Sequence, residues 1–220
     1  CQAEVMMCVY FLQKHHFEEP RMPFLWLVCY GSFYPLYLGL NMHIAIDTTP
    51  LESGHHVRGV GSYTKLLIEA LQKYEKSHSY SFFTRGQKVP KSADLVHYPY
   101  FDPFFLTLPL VKRYPVVVTV HDLIPLSYPS HFPRGIRGNL TWIIQKLSLA
   151  GANRVITDSI ASQQDIRRIT GIASDRIDVV YLAPSDTFRP IRDSVLLSGI
   201  TAKYGLTETF ILYVGDVNWN

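Results

Sequence analysis

Cysteine is scarce and poorly placed for chemistry: Cys1, Cys8 and Cys29 all precede Met42, and no thiol follows it. A disulfide framework, a zinc knuckle and a cysteine nucleophile are therefore excluded for the main body of the chain. Runs of one charge are also missing. The 21 Lys and Arg residues are scattered among 18 acids, net +3, which argues against a nucleic-acid groove while tolerating phosphates or anionic headgroups. There is no internal repeat and no low-complexity tract. The strongest apolar run, Phe24 to Leu40, is broken by Gly31, Pro35 and Gly39, follows Glu18 and Glu19, and precedes no A-x-A cleavage signal. It fits neither a clean membrane helix nor a signal peptide.

What remains is the composition of an ordinary folded protein, 47% hydrophobic and 18% charged over 220 residues, enough for one generous domain or for one domain and part of another. The first strand, MHIAID, opens at Met42. Residues 1–41 are accordingly expected to be an extension outside the fold, with a membrane-associating anchor or a packed extension as the other readings. From Met42, strand and helix patterns alternate. His43 to Asp47, Tyr80 to Thr84, Asp94 to Tyr98, Val116 to Val120, Arg154 to Thr157 and Asp178 to Leu182 read as strands. Thr48 to Arg58 reads as a long loop before a helix whose face carries Tyr63, Leu66, Leu67, Ala70, Leu71 and Tyr74. A second helix, Arg134 to Ala150, shows an apolar stripe at Leu140, Ile143, Ile144 and Leu147 that predicts packing, and Gly151 ends it. A third helix runs to Ile169 after Asp158 or Ser159 as its cap. Such alternation predicts an α/β, Rossmann-like parallel sheet with helices on both faces. Turn-forming residues from Pro184 to Pro190 suggest a domain boundary near Pro190. The organisation expected is a domain over 42–190, then over 191–220 a linker helix from Asp193 to Gly205 and the first strand, Phe210 to Val214, of a truncated second domain.

Five places are candidates for chemistry. The run VVVTVHDLIPL, Val116 to Leu126, is a buried strand that ends in His121 and Asp122. In open parallel sheets ligands bind beyond the carboxyl ends of the strands, so an imidazole there can donate to or accept from a sugar hydroxyl or a leaving group. Gly59-Val60-Gly61 stands before a helix, where backbone N–H groups can approach a phosphate or hydroxyl. The dinucleotide fingerprint is set aside, because about ten residues separate these glycines from the first strand and the second strand ends Phe83-Thr84-Arg85. His97-Tyr98-Pro99-Tyr100 places tyrosines at another strand tip, either a surface for sugar rings or plain core. Asp158 and Ser159 read mainly as helix caps. His55-His56 has no third ligand nearby and reads as a solvated pair.

In series, MHIAID, RGVGSYTKLLIEAL, DLVHYPYF, VVVTVHDLIPL, RVITDSIASQQDI, IDVVYLAPSDTFRP and FILYVGDVNWN resemble the amino-terminal half of glycosyltransferase family 4, retaining enzymes of the two-domain GT-B fold. HDLIPL is most similar to the mannosyltransferase-like members. The resemblance implies an acceptor-side domain here and a donor-binding domain beyond, whose basic pair and E-x7-E element would follow Asn220, so that a chain ending there would be inactive alone. It implies His121 as the catalytic residue facing the reacting centre, and Gly59, Val60 and Gly61 as the glycine loop facing the donor phosphates and transferred sugar; their strand-tip places add Tyr98 and Asp122 as expected substrate-binding residues, with Ser159 and Tyr63 as further candidates. Arg58 stands where the family often has a first glycine, and Ser62 where it has a basic residue.

The function so implied is transfer of a sugar, mannose among the candidates, from a nucleotide sugar to a glycan or lipid-linked acceptor, without cofactor or metal and without nucleic acid. A cytoplasmic location, with peripheral membrane association, goes with such acceptors. The alternative is a non-catalytic Rossmann-like module that binds a sugar or a partner. A nicotinamide-dependent enzyme is disfavoured by the misplaced glycines.

Overall fold

A computed structural model describes residues 26–29, 32–35, 41–54, 56, 58–184, 188–207 and 209–213. Trp26–Cys29 (β1) and Ser32–Pro35 (β2) pair antiparallel in a two-stranded sheet of their own. The rest of the expected 1–41 extension lies outside the described residues, apart from Asn41, and so do His55 and the segment from Val214 on.

The main sheet holds six parallel strands: His43–Asp47 (β3), Ser79–Phe83 (β4), Leu95–Tyr98 (β5), Val116–Thr119 (β6), Arg154–Thr157 (β7) and Ile177–Val179 (β8). Their order is β4-β3-β5-β6-β7-β8. The chain therefore steps one way from β3 to β4 and the other way from β5 onward. The direction reverses between β3 and β5, the place in doubly wound sheets where loops part and leave a crevice at the carboxyl edge. Six strands read from β-branched and apolar runs are all present.

Strand alternation sorts the core into two layers. Ile44, Ile46, Leu95, Val117 and Ile156 face one side, where helix α2 (Gly59–Tyr74) covers them with Leu67, Ile68 and Leu71. Ala45, Val96, Val116, Val118, Val120 and Val155 face the other side. There they meet Leu149 of α4 (Gly135–Ala150) and Ile166 of α5 (Ile160–Thr170). Each fully buried Val, Leu or Ile contributes roughly 1.5–3 kcal/mol, so β5 and β6, both buried along their whole length, are strongly fixed in the middle of the sheet. The helices end where their sequences say they should: the amide of Gly151 returns to Leu147, and Gly171 closes α5 at φ 82°, a left-handed conformation that glycine adopts without steric cost.

Four details differ from expectation. The loop Thr48 to Arg58 contains a turn of helix, α1 (Thr49–Glu52), whose Pro50 lies in the first turn, where a missing N–H costs nothing. The apolar turn after His121 likewise forms α3 (Ile124–Ser127). The stripe Leu140, Ile143 and Leu147 does not pack: α4 buries Gln145, Ser148 and Leu149 and turns the stripe outward. Phe210–Tyr213 forms no strand, because no neighbouring strand among the described residues offers it a hydrogen-bonded ladder.

The contacts divide the chain after Ala183, seven residues before the composition break at Pro190. The second unit contains α6 (Ser194–Tyr204), capped by the Asp193 carboxylate on the amides of Val195 and Leu196 and closed by Gly205 at φ 59°.

Candidate active site

Parallel register brings the two central side chains together. Thr119 of β6 is paired with Ile156 of β7, so two residues further along each strand His121 and Asp158 stand opposite one another on the same face. The imidazole Nδ1 lies 2.6 Å from Asp158 Oδ2, with both side chains about one-fifth exposed. A carboxylate oxygen only accepts, so Nδ1 carries the proton and donates. In the neutral ring that leaves the lone pair on Nε2, and Nε2 is buried without a hydrogen-bond partner. An unpartnered polar atom at a strand tip is costly unless a ligand completes it.

Tyr63 holds the ring from the helix side. Its own ring stands edge-on to His121 at 4.7 Å and 87°, and its hydroxyl lies 3.3 Å from Thr119 Oγ1. Thr119 Oγ1 is also 2.9 Å from Nε2 of the buried His97. Burial, followed by the neighbouring His121, pulls the His97 pKa down to about 4, so His97 is neutral at physiological pH and leaves no fixed charge behind the site. Val117, Thr119 and His121 alternate onto the face that α2 covers, so the first turn of α2 and the tip of β6 meet here. The amides of Gly59, Val60 and Gly61 begin α2, and Arg58 gives them no side-chain cap. These N–H groups stand at the positive end of a 16-residue helix, where a phosphate or a hydroxyl is favoured, and no side chain among the described residues accepts from them.

The sequence placed the glycines in a loop before the helix; instead they form its first turn. Neither has a positive φ, a Cβ at Gly59 would meet nothing within 4 Å, and Gly61 is buried. Tyr98 needs correction as a substrate-binding residue. It is 7% exposed, lies in the core and meets Phe83 edge-on at 6.0 Å; burial and the nearby Asp47 push its pKa up to about 12. On β5 the even-numbered residues face the α4 and α5 layer, which takes Tyr98 inward. Asp122 is exposed, and its Oδ1 accepts the amide of Ile124 at 3.0 Å, which makes it the turn-former that starts α3. Ser159 is the α5 cap, its Oγ accepting the amide of Ser162 at 3.1 Å. Asp158, read as a cap, is instead the partner of His121. Its signal was its place two residues past a strand residue paired with Thr119, which requires the register. His56 Nδ1 lies 2.9 Å from the Ser53 carbonyl oxygen, and among the described residues no cluster of His, Cys, Asp and Glu is arranged to hold a metal ion.

A second feature sits at the reversal between β3 and β5. A cavity of about 150 Å3 is lined by Asp47, Thr49, Ser53, Arg85, Tyr100 and Thr107 among others. Asp47 Oδ1 accepts both the amide and the hydroxyl of Thr49, at 3.0 and 2.5 Å, and burial raises its pKa in spite of these bonds. A third space, about 210 Å3 and mostly apolar, runs along α2 from Gly59 to Leu71 beneath Val180 to Ala183.

Residues 78–183 match the Glycosyltransferase Family 4 model. The match is a similarity to that family over just under half of the chain. It covers His121, Asp158, Asp122 and Ser159; the first turn of α2 and Tyr63 lie before it. No curated protein matches the chain.

Proposed function

We propose that this chain forms the acceptor side of a retaining glycosyltransferase that moves a sugar from a nucleotide-sugar donor to a glycan or lipid-linked acceptor. The observation that carries the reading is the His121–Asp158 pair, whose Nε2 lacks a partner beside the uncapped start of α2, within a domain that matches Glycosyltransferase Family 4. His121 Nε2 accepts a hydrogen bond from a sugar hydroxyl at the reacting centre. Asp158 holds the ring in the tautomer that makes this possible. The amides of Gly59 to Gly61 stabilise the negative charge of the donor phosphates or of the departing phosphate, a task that oriented N–H donors perform without reorganising. The polar cavity around Asp47, Arg85 and Tyr100 suits hydroxyl-rich acceptor groups. Metal-free transfer and mannose as the first sugar to try rest on the family resemblance. The test is a screen of nucleotide sugars against the complete protein, reading nucleotide release, sugar incorporation and the anomeric configuration of the product by NMR. Incorporation with retained configuration supports the reading. Binding of a sugar without turnover of any donor would assign the chain to the non-catalytic alternative.

A further inference from the structure

Thr119 sits where a valine would serve the core. The four other residues from Val116 to Val120 are all valines, and Thr119, fully buried among them, carries a hydroxyl whose burial is costly unless it is hydrogen-bonded. Its Oγ1 meets groups from two other elements: Nε2 of His97 on β5 at 2.9 Å, and the hydroxyl of Tyr63 on α2 at 3.3 Å. Register explains the meeting. His97 pairs with Val117, so His97, Thr119 and His121 share the face that α2 covers. A neutral imidazole nitrogen is either a donor or an acceptor, so His97 uses one side of the Thr119 hydroxyl and leaves the other for Tyr63.

That second bond matters for His121. The χ2 wells of histidine and tyrosine are broad, so each ring takes its plane from its neighbours rather than from its own torsion. Asp158 restrains one atom of His121, Nδ1, and a hydrogen bond at one atom tolerates a range of tilts. The Tyr63 ring, edge-on at 4.7 Å and 87°, limits the tilt, in a geometry that aromatic pairs favour. Its far end is pinned in turn by Thr119, which is stiff at χ1 because it is β-branched. Gly61 and Thr64, close to Tyr63 in α2, are both buried, so the tyrosine backbone is seated as well.

We propose that Thr119 is a positioning residue for His121: its hydrogen bond to Tyr63 fixes the ring against which the imidazole is set, and so aims Nε2 at the sugar hydroxyl. This rests on the reading of His121 as the residue at the reacting centre. Thr119 acts from the core, through Tyr63. A misplacement of about 1 Å can cost about a hundredfold in rate, so the loss of this one buried hydroxyl is measurable in turnover.

The test uses the complete protein and three substitutions. Thr119→Val keeps the shape and removes the hydroxyl, Thr119→Ser returns it, and Tyr63→Phe keeps the ring but removes its anchor. The first readout needs no donor. In protein carrying isotopically labelled histidine, the ring resonances of His121, identified by their loss in His121→Gln, are expected to move in Thr119→Val and in Tyr63→Phe and to hold their wild-type positions in Thr119→Ser. The second readout is turnover with the donor that the screen identifies. There kcat is expected to fall about tenfold in Thr119→Val and in Tyr63→Phe with KM within about twofold, and to recover to within about threefold of the wild type in Thr119→Ser. Melting temperatures show which variants fold; if Thr119→Val does not, Tyr63→Phe decides. Unmoved resonances in Tyr63→Phe, or an unchanged kcat in the folded variants, would overturn the proposal. A loss carried by KM in Tyr63→Phe, with Thr119→Val normal, would overturn it too and put the Tyr63 hydroxyl on the substrate. If the wild type turns over no donor, the transfer reading fails by itself, and the resonances still decide whether Thr119 sets the ring.

Discussion

His97 gives a quantitative handle on the interior behind the candidate site. Its ring is buried against Thr119, and burial, with His121 second, pulls its pKa from 6.5 to about 4. In the unfolded chain it titrates near the ordinary value. Between these values the unfolded state binds more protons than the folded state, so stability falls as pH drops from about 6.5 towards 4 and is level above. A difference of about 2.5 units at about 1.4 kcal/mol each corresponds to roughly 3 kcal/mol, a large share of the 5–15 kcal/mol that holds a typical domain. The assay is urea unfolding of the wild type and of His97→Gln, which keeps a polar group for Thr119 but cannot titrate. Between about pH 7 and about pH 4.5 the wild type should lose roughly 2–3 kcal/mol more than the variant. The raised pKa of Asp47 acts in the opposite sense, but it is common to both proteins and cancels in the comparison. Equal losses in the two proteins would refute the reasoning.

Further expectations concern the site itself. Asp158→Asn keeps the size of the side chain but removes its charge, and should lower turnover by at least about tenfold while shifting its pH profile; an unchanged profile would leave Asp158 a structural residue. Ser159→Ala should cost about 1 kcal/mol through loss of the α5 cap, with turnover per folded molecule unchanged, and a selective loss of turnover would return Ser159 to the site. Gly61→Val fills a buried position in the first turn of α2 and should destabilise by about 1–3 kcal/mol as well as raise the donor KM. Normal kinetics in that variant would confine Gly61 to packing.

The strands and the main helices were legible because their signals are local. The apolar run of β6, the 3.6-residue period of α2 and the glycines that close α4 and α6 each lie within a few residues. His121 was legible too, as a polar residue directly after a buried strand. Asp158 was not, since its partner is 37 residues away and the two meet only once β6 and β7 are in register. Tyr98 misled because a strand tip and a strand interior look alike in sequence, and only the sheet's facing decides which way the ring turns. The stripe of α4 misled for the opposite reason: periodicity identifies a helix face but not what lies against it, and here a glutamine and a serine took the inner side through hydrogen bonds to residues 107–109. Phe210–Tyr213 carries the residues of a strand, yet a strand exists only where another offers it a ladder.

The central claim is that His121 works at the reacting centre rather than holding the fold. The measurement that tests it most directly is turnover of the complete protein and of His121→Ala with the nucleotide sugar that the donor screen identifies, with melting temperatures taken on the same samples. The account predicts a loss of turnover of at least about a hundredfold with the melting temperature nearly unchanged. Turnover equal to that of the wild type would contradict it.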